Sequence, residues 1–81
     1  MNAAFSQRFI RQYAALSEAQ KAKCDKQLDF LLTNLRHPSL RAKKYDKAQD
    51  IWQARLDESY RFYFRIVGDT YWLLSVMAHP G

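Results

Sequence analysis

Apolar residues recur every three or four positions through the first half of the chain and every second position later on. Phe5, Phe9, Tyr13 and Leu16 form one stripe at helical spacing, with Arg8, Arg11 and Gln12 largely outside it. This predicts a first amphipathic helix. Ser17 then breaks the pattern. Together with Gln20 it matches a capping box, in which the hydroxyl accepts from a free backbone N–H and the amide side chain reaches back to the cap. A second helix is predicted from Glu18 to about Leu35. Its stripe is Cys24, Leu28, Leu31 and Leu35, widened by Phe30 and Leu32, with Lys21, Lys23, Asp25 and Lys26 on the wet side. Pro38 marks its end, because the residue before a proline is pushed out of helical geometry. So short a link between the helices predicts an antiparallel hairpin.

From Ile51 the period changes to two. In "YRFYFRI", Tyr60, Phe62, Phe64 and Ile66 alternate with Arg61, Tyr63 and Arg65, as a half-buried strand requires. In "IWQARL", Trp52, Ala54 and Leu56 share one face, and Ile51, Gln53 and Arg55 the other. "DES" suits a short turn, and Gly68-Asp69 a hairpin turn. "TYWLLSVM" is almost wholly apolar, as expected of a strand with neighbours on both sides.

The expected fold is α+β: an N-terminal helical hairpin packed on one face of an antiparallel sheet of three or four strands. The other face would be partly open and carry Gln53, Arg55, Arg61, Tyr63 and Arg65. Continuing the alternation through Tyr71, Leu73, Ser75 and Met77 adds His79.

Size and composition agree with one folded unit spanning residues 1–81. The chain has 81 residues, is 48% hydrophobic and 15% aromatic, and contains two glycines and two prolines. That supports one core and argues against a disordered tail. The single cysteine, Cys24, excludes an intrachain disulfide and reads as a small buried apolar residue. "MNAAFSQRFI" lacks the apolar core of a signal peptide, and no run reaches the roughly 18 apolar residues of a membrane helix. A cytoplasmic protein without a membrane segment is expected.

Charge changes the picture more. The net charge is +5, and it is concentrated. Arg36, Arg41, Lys43, Lys44 and Lys47 stand against Asp46 alone. Such an excess favours a polyanion or an acidic partner, although a solvated basic loop explains it equally well.

Arginine forks match phosphate geometry and remain charged at any working pH. Tyrosine beside them can stack on a base, and His79 can exchange a proton near neutrality. Together these suit RNA cleavage without a metal, in which a ribose 2′-hydroxyl attacks the adjacent phosphate. The plainer explanation is a wet sheet face, with Arg61 and Arg65 paired to Asp57, Glu58 or Asp69. His37, beside Pro38, reads as a loop or helix-end residue, and Trp52 and Trp72 as packing residues. No glycine-rich phosphate loop, GxSxG or HExxH is present, and no cofactor or metal is expected.

A helix hairpin followed by "HPSLRAKKY", "IWQARLDESYRFYFRI" and "TYWLLSVMAH" resembles the RelE/ParE superfamily of bacterial type II toxins, over nearly the whole chain. The resemblance implies a microbial-RNase-like fold and a metal-independent endoribonuclease that cleaves mRNA on the ribosome. It implies a cognate antitoxin as partner, in a toxin–antitoxin hetero-oligomer. On it, Arg61 binds the scissile phosphate, Arg55 does related work, and His79 stands where an arginine or histidine acts as general acid. Lys43 and Lys44, with Arg41, Tyr63 and Arg65, fall in the RNA-binding surface. Three departures stand out. Gln53 occupies a position where a lysine can serve as base, leaving Lys43, Lys44 or the ribosome to supply one. The first strand is short. The chain stops at "AHPG", before the tyrosine with which the superfamily often continues. The ParE branch, which binds DNA gyrase, and a degenerate member that only binds its antitoxin are the rival readings.

Overall fold

The computed structural model describes residues 1–79. The elements are β1 (Asn2–Phe5), α1 (Gln7–Ala14), α2 (Glu18–Thr33), β2 (Lys43–Asp46), β3 (Ile51–Arg55), β4 (Tyr60–Val67) and β5 (Thr70–Ala78). They build one five-stranded sheet in the order β1-β5-β4-β3-β2. Phe9, Leu16, Cys24 and Leu31 of the helical half share a core with Phe62, Phe64, Leu73 and Val76 of the sheet. The α+β architecture with helices on one face is as expected.

The sheet has five strands rather than three or four. β1 pairs in parallel with β5, and β2 pairs antiparallel with β3. Both are four-residue edge strands, too short to announce themselves, and β2 is also polar on most of its length. Phe5 belongs to β1 and not to the first helix. Ser6 sets that boundary, its hydroxyl accepting from Phe9 N at 3.0 Å as the N-cap of α1. The Ser17–Gln20 capping box is formed in both directions, at 3.1 Å each. α2 stops at Thr33, with Asn34 already extended.

One irregularity decides which side chains face outward on β5. Phe64 pairs with Leu73 but Tyr63 pairs with Ser75, so Leu74 is an extra residue in the strand. This β-bulge reverses the alternation. Before it, Tyr71 and Leu73 point into the core; after it, Val76 does, and Ser75 and Met77 lie on the face of Tyr63 and Arg61. The expectation that Tyr71 and Leu73 share the open face is therefore corrected. So is that for Trp72, which stands outward, 39% exposed, opposite Arg65.

A bulge leaves backbone groups off the ladder, and buried ones must find partners. Two polar side chains supply them. The Ser6 hydroxyl donates to Leu74 O at 2.7 Å, and Gln12 Oε1 accepts from Val76 N at 2.9 Å. At the β4–β5 turn, Gly68 has φ +61°, a left-handed value that glycine adopts without strain. No helix among the described residues is long and apolar enough to cross a membrane.

Candidate functional site

The face opposite the helices carries two cross-strand rows. Lys43, Gln53, Tyr63 and Ser75 are successive partners from β2 to β5. The next row is Arg55, Arg61 and Met77. Arg55 and Arg61 thus stand directly opposite, with Cβ atoms about 4.5–5.5 Å apart by ladder geometry. Two like charges so placed repel, which is unfavourable unless an anion lies between them.

These rows form one wall of a cleft of about 200 Å³, lined by Arg41, Lys43, Gln53, Arg55, Arg61 and His79 together with Ala54. Among its lining residues there is no carboxylate. Arg61 Nη1 donates to two backbone carbonyls, Asp57 O at 2.8 Å and Tyr60 O at 3.0 Å. That fixes the guanidinium without neutralising it. Arg55 N donates to Leu40 O at 2.7 Å, which moors the α2–β2 connection to the end of β3. His79 N donates to Ser59 O at 2.7 Å, extending the β4–β5 pairing to the histidine.

Two buried polar atoms of this cleft lack hydrogen-bond partners among the described residues, Gln53 Oε1 and Arg55 Nε. Gln53 is only 8% exposed. Buried polar groups are paired in the great majority of cases, so an unused acceptor and an unused donor mark the cleft as poised for a polar ligand.

The remaining predicted residues separate. Lys43 is in the cleft. Lys44 is not: it faces Trp52, 5.3 Å from the ring, and pairs with Asp50. The Lys44 ammonium beside Asp50 holds that carboxyl below its usual range. Arg65 lies four residues along β4 from Arg61, roughly 13 Å away at strand rise, in a depression with Trp72 and Thr70. Tyr63 is in the right row but 8% exposed. Burial raises its phenol above the ordinary value, next the charge of Tyr45, with Arg61 opposing.

Tyr45 covers Tyr63 edge-on, with ring centroids 5.0 Å apart, and is itself 62% exposed. It is more accessible than Trp72 on this face, and the "KKY" run was the available signal. His37 stacks on Phe30 at 3.7 Å and accepts from Ser39 N through Nδ1, as a helix-end residue should. Cys24 is buried. Among the described residues no group of three His, Cys, Asp or Glu side chains is placed to hold a metal ion.

The fold is that of the RelE, YoeB and ParE toxins. A YoeB/ParE toxin from Agrobacterium tumefaciens superposes with a TM-score of 0.83 at 13% identity, over 99% of this chain and 100% of that one. The YoeB dimer structure from Staphylococcus aureus gives 0.82 at 14% identity, over 99% and 98%. The intact RelBE toxin–antitoxin complex of E. coli gives 0.76 at 17% identity, again over 99% and 98%. No protein-family description matches this sequence, and no curated protein matches it.

Proposed function

We propose that this chain is the toxin of a type II toxin–antitoxin pair and an endoribonuclease that cleaves mRNA on the ribosome. The observation that carries the reading is the Arg55–Arg61 pair, opposed across β3 and β4 in a cleft with Lys43 and His79 and without a carboxylate. Such a pair matches the non-bridging oxygens of one phosphodiester.

The chemistry follows from those groups. The 2′-hydroxyl of the upstream ribose loses its proton to a base. Of the two lysines open to that role, Lys43 lines the cleft and Lys44 is engaged with Asp50. The 2′-oxygen attacks phosphorus, and Arg55 and Arg61 hold the negative charge that grows on the phosphoryl oxygens. As the bond to the 5′-oxygen breaks, His79 as imidazolium donates the proton the leaving oxygen needs. The products are a 2′,3′-cyclic phosphate and a 5′-hydroxyl. No metal is required. The partner is a cognate antitoxin that covers the basic face, in keeping with the RelE and YoeB structures solved with antitoxins.

Gln53 favours a second reading. Its amide cannot take up a proton, and it occupies the centre of the lysine–tyrosine row. A toxin that binds DNA gyrase, or one that only binds its antitoxin, would tolerate that residue. Induced expression separates the readings. Growth arrest with mRNA cut at defined positions supports the nuclease. Arrest with intact messages and inhibited supercoiling decides for gyrase, and unimpaired growth decides for the antitoxin-only form.

A further inference from the structure

A larger cleft, of about 790 Å³, adjoins the first. It lies between α2, the α2–β2 connection and the β3–β4 turn. Lys23 and Lys26 rise into it from α2, Ser39 and Arg41 from the connection, and Asp57 and Glu58 from the turn. Arg41 and Arg55 line both clefts, so the two are continuous through those side chains.

The junction is a built structure. Gln27, 5% exposed on the inner side of α2, donates through Nε2 to Ser39 O at 3.1 Å and to Arg55 O at 2.8 Å. Its Oε1 accepts from the Ser39 hydroxyl at 2.8 Å. One buried amide therefore ties helix, connection and strand together beneath the two shared arginines. Arg41 itself has φ +46°. A non-glycine residue is held in the left-handed region only where its surroundings over-determine it, and such residues gather at ligand sites. Leu40, fully buried and bonded to Arg55 N, does the holding here. Arg55 Nε, a buried donor without an acceptor among the described residues, belongs to this junction.

We propose that the second cleft holds the RNA strand flanking the scissile linkage, with Lys23 and Lys26 taking a neighbouring phosphodiester. The inference rests on the nuclease reading and extends it from one linkage to a strand path. Single strands are held by positively charged grooves that track the backbone, and Arg41 and Arg55 carry the positive lining from one cleft into the next. The cations Lys23, Lys26, Arg41 and Arg55 outnumber the carboxylates Asp57 and Glu58. Asp57 Oδ1 is already used by the N–H groups of Ser59 and Tyr60, at 2.8 Å each. The apolar side chains of the lining are Leu56 and Pro38, too few to seat an amphipathic protein segment.

The test is fluorescence anisotropy on the full chain, across a salt series, with 2′-O-methyl RNA that cannot be cleaved. One probe is a dinucleotide with a single phosphodiester linkage, the other a decanucleotide. Lys23 and Lys26 are exposed, so Lys23→Ala with Lys26→Ala leaves the fold intact, and the melting curve verifies it. The double variant should bind the decanucleotide about tenfold more weakly, with the salt slope reduced by about 0.7 for one lost phosphate contact. Its dinucleotide binding should equal that of the wild type. Arg61→Ala should weaken both probes. Unchanged decanucleotide binding by the lysine variant, with Arg61→Ala impaired, overturns the second cleft alone. A wild-type chain that binds neither probe overturns the second cleft, and one that also leaves ribosome-bound mRNA uncut overturns the nuclease reading as well.

Discussion

Arg55 and Arg61 face each other across the β3–β4 ladder, and neither is ion-paired to a carboxylate among the described residues. Like charges opposed in this way are destabilising by about 0.2–1 kcal/mol. The fold accepts that repulsion at one row of its open face, where an anion would relieve it.

The pair should therefore behave as function kept at the expense of stability. Arg55→Ala removes one charge while leaving the backbone bonds from Arg55 N and to Arg55 O in place. At low salt its unfolding free energy should equal or exceed that of the wild type by up to about 0.5 kcal/mol. RNA binding should fall. Denaturant titration at two salt concentrations checks the first point, because the difference should shrink as salt screens the pair.

Lys43 and Lys44 are neighbours in sequence with different tasks. Lys43→Ala should lower cleavage by about 10²–10⁴-fold, as expected for loss of a general base. Lys44→Ala should change it by less than about threefold, its charge being engaged with Asp50 over Trp52. Cleavage rates of the two variants under identical conditions decide the matter.

Gln27→Ala would strand the hydroxyl of Ser39 and the carbonyls of Ser39 and Arg55. Leaving such groups without partners costs about 1–3 kcal/mol. Ser6→Ala loses both the helix cap and the bond to Leu74 O at the bulge, for about 1–2 kcal/mol. Equilibrium unfolding reads both losses.

Tyr13 and Cys24 both resist ionisation in the folded chain. The Tyr13 hydroxyl donates to Asp25 at 2.7 Å, and that bond, then burial, pushes the phenol up to about 12. Burial, then the charge of Asp25, pushes the Cys24 thiol up to about 12. Folding favours the neutral form of each. Their contributions are complete below the ordinary values of 9.0 for the thiol and 10.0 for the phenol, and are lost as pH climbs toward 12. Stability should decline across that window, and Tyr13→Phe should flatten the decline. At pH 8 the native thiol should react with a disulfide reagent only as fast as the fold opens.

The sequence carried the helices and the two central strands clearly. Ser17 with Gln20 announced the start of α2, and the alternation from Tyr60 to Ile66 announced β4, because each is a local pattern with a local cause. The edge strands were hidden: Lys43–Asp46 is exposed on most of its length, so no period of two marks it. Leu74 was hidden for another reason. In an almost wholly apolar strand a bulge leaves no trace in hydropathy, and Tyr71, Leu73 and Trp72 were assigned to the wrong faces. His79 kept its expected face, since the residues after the bulge alternate as foreseen. Of the candidate site, Arg55, Arg61, Lys43, Arg41 and His79 line one cleft, while Lys44 and Arg65 lie apart from it. Gln27 gave a faint signal, a polar residue three positions after Cys24 and four before Leu31, on the stripe that should be apolar.

The most direct test of the central claim is the rate at which the purified chain cuts mRNA bound to ribosomes, compared with Arg61→Ala. Removal of a charge-stabilising donor at the reacting phosphate should lower the rate about 10²–10³-fold. Circular dichroism should report the same fold for both proteins. A variant that folds and still cuts within about threefold of the wild type would contradict the assignment of Arg61 to the scissile phosphate.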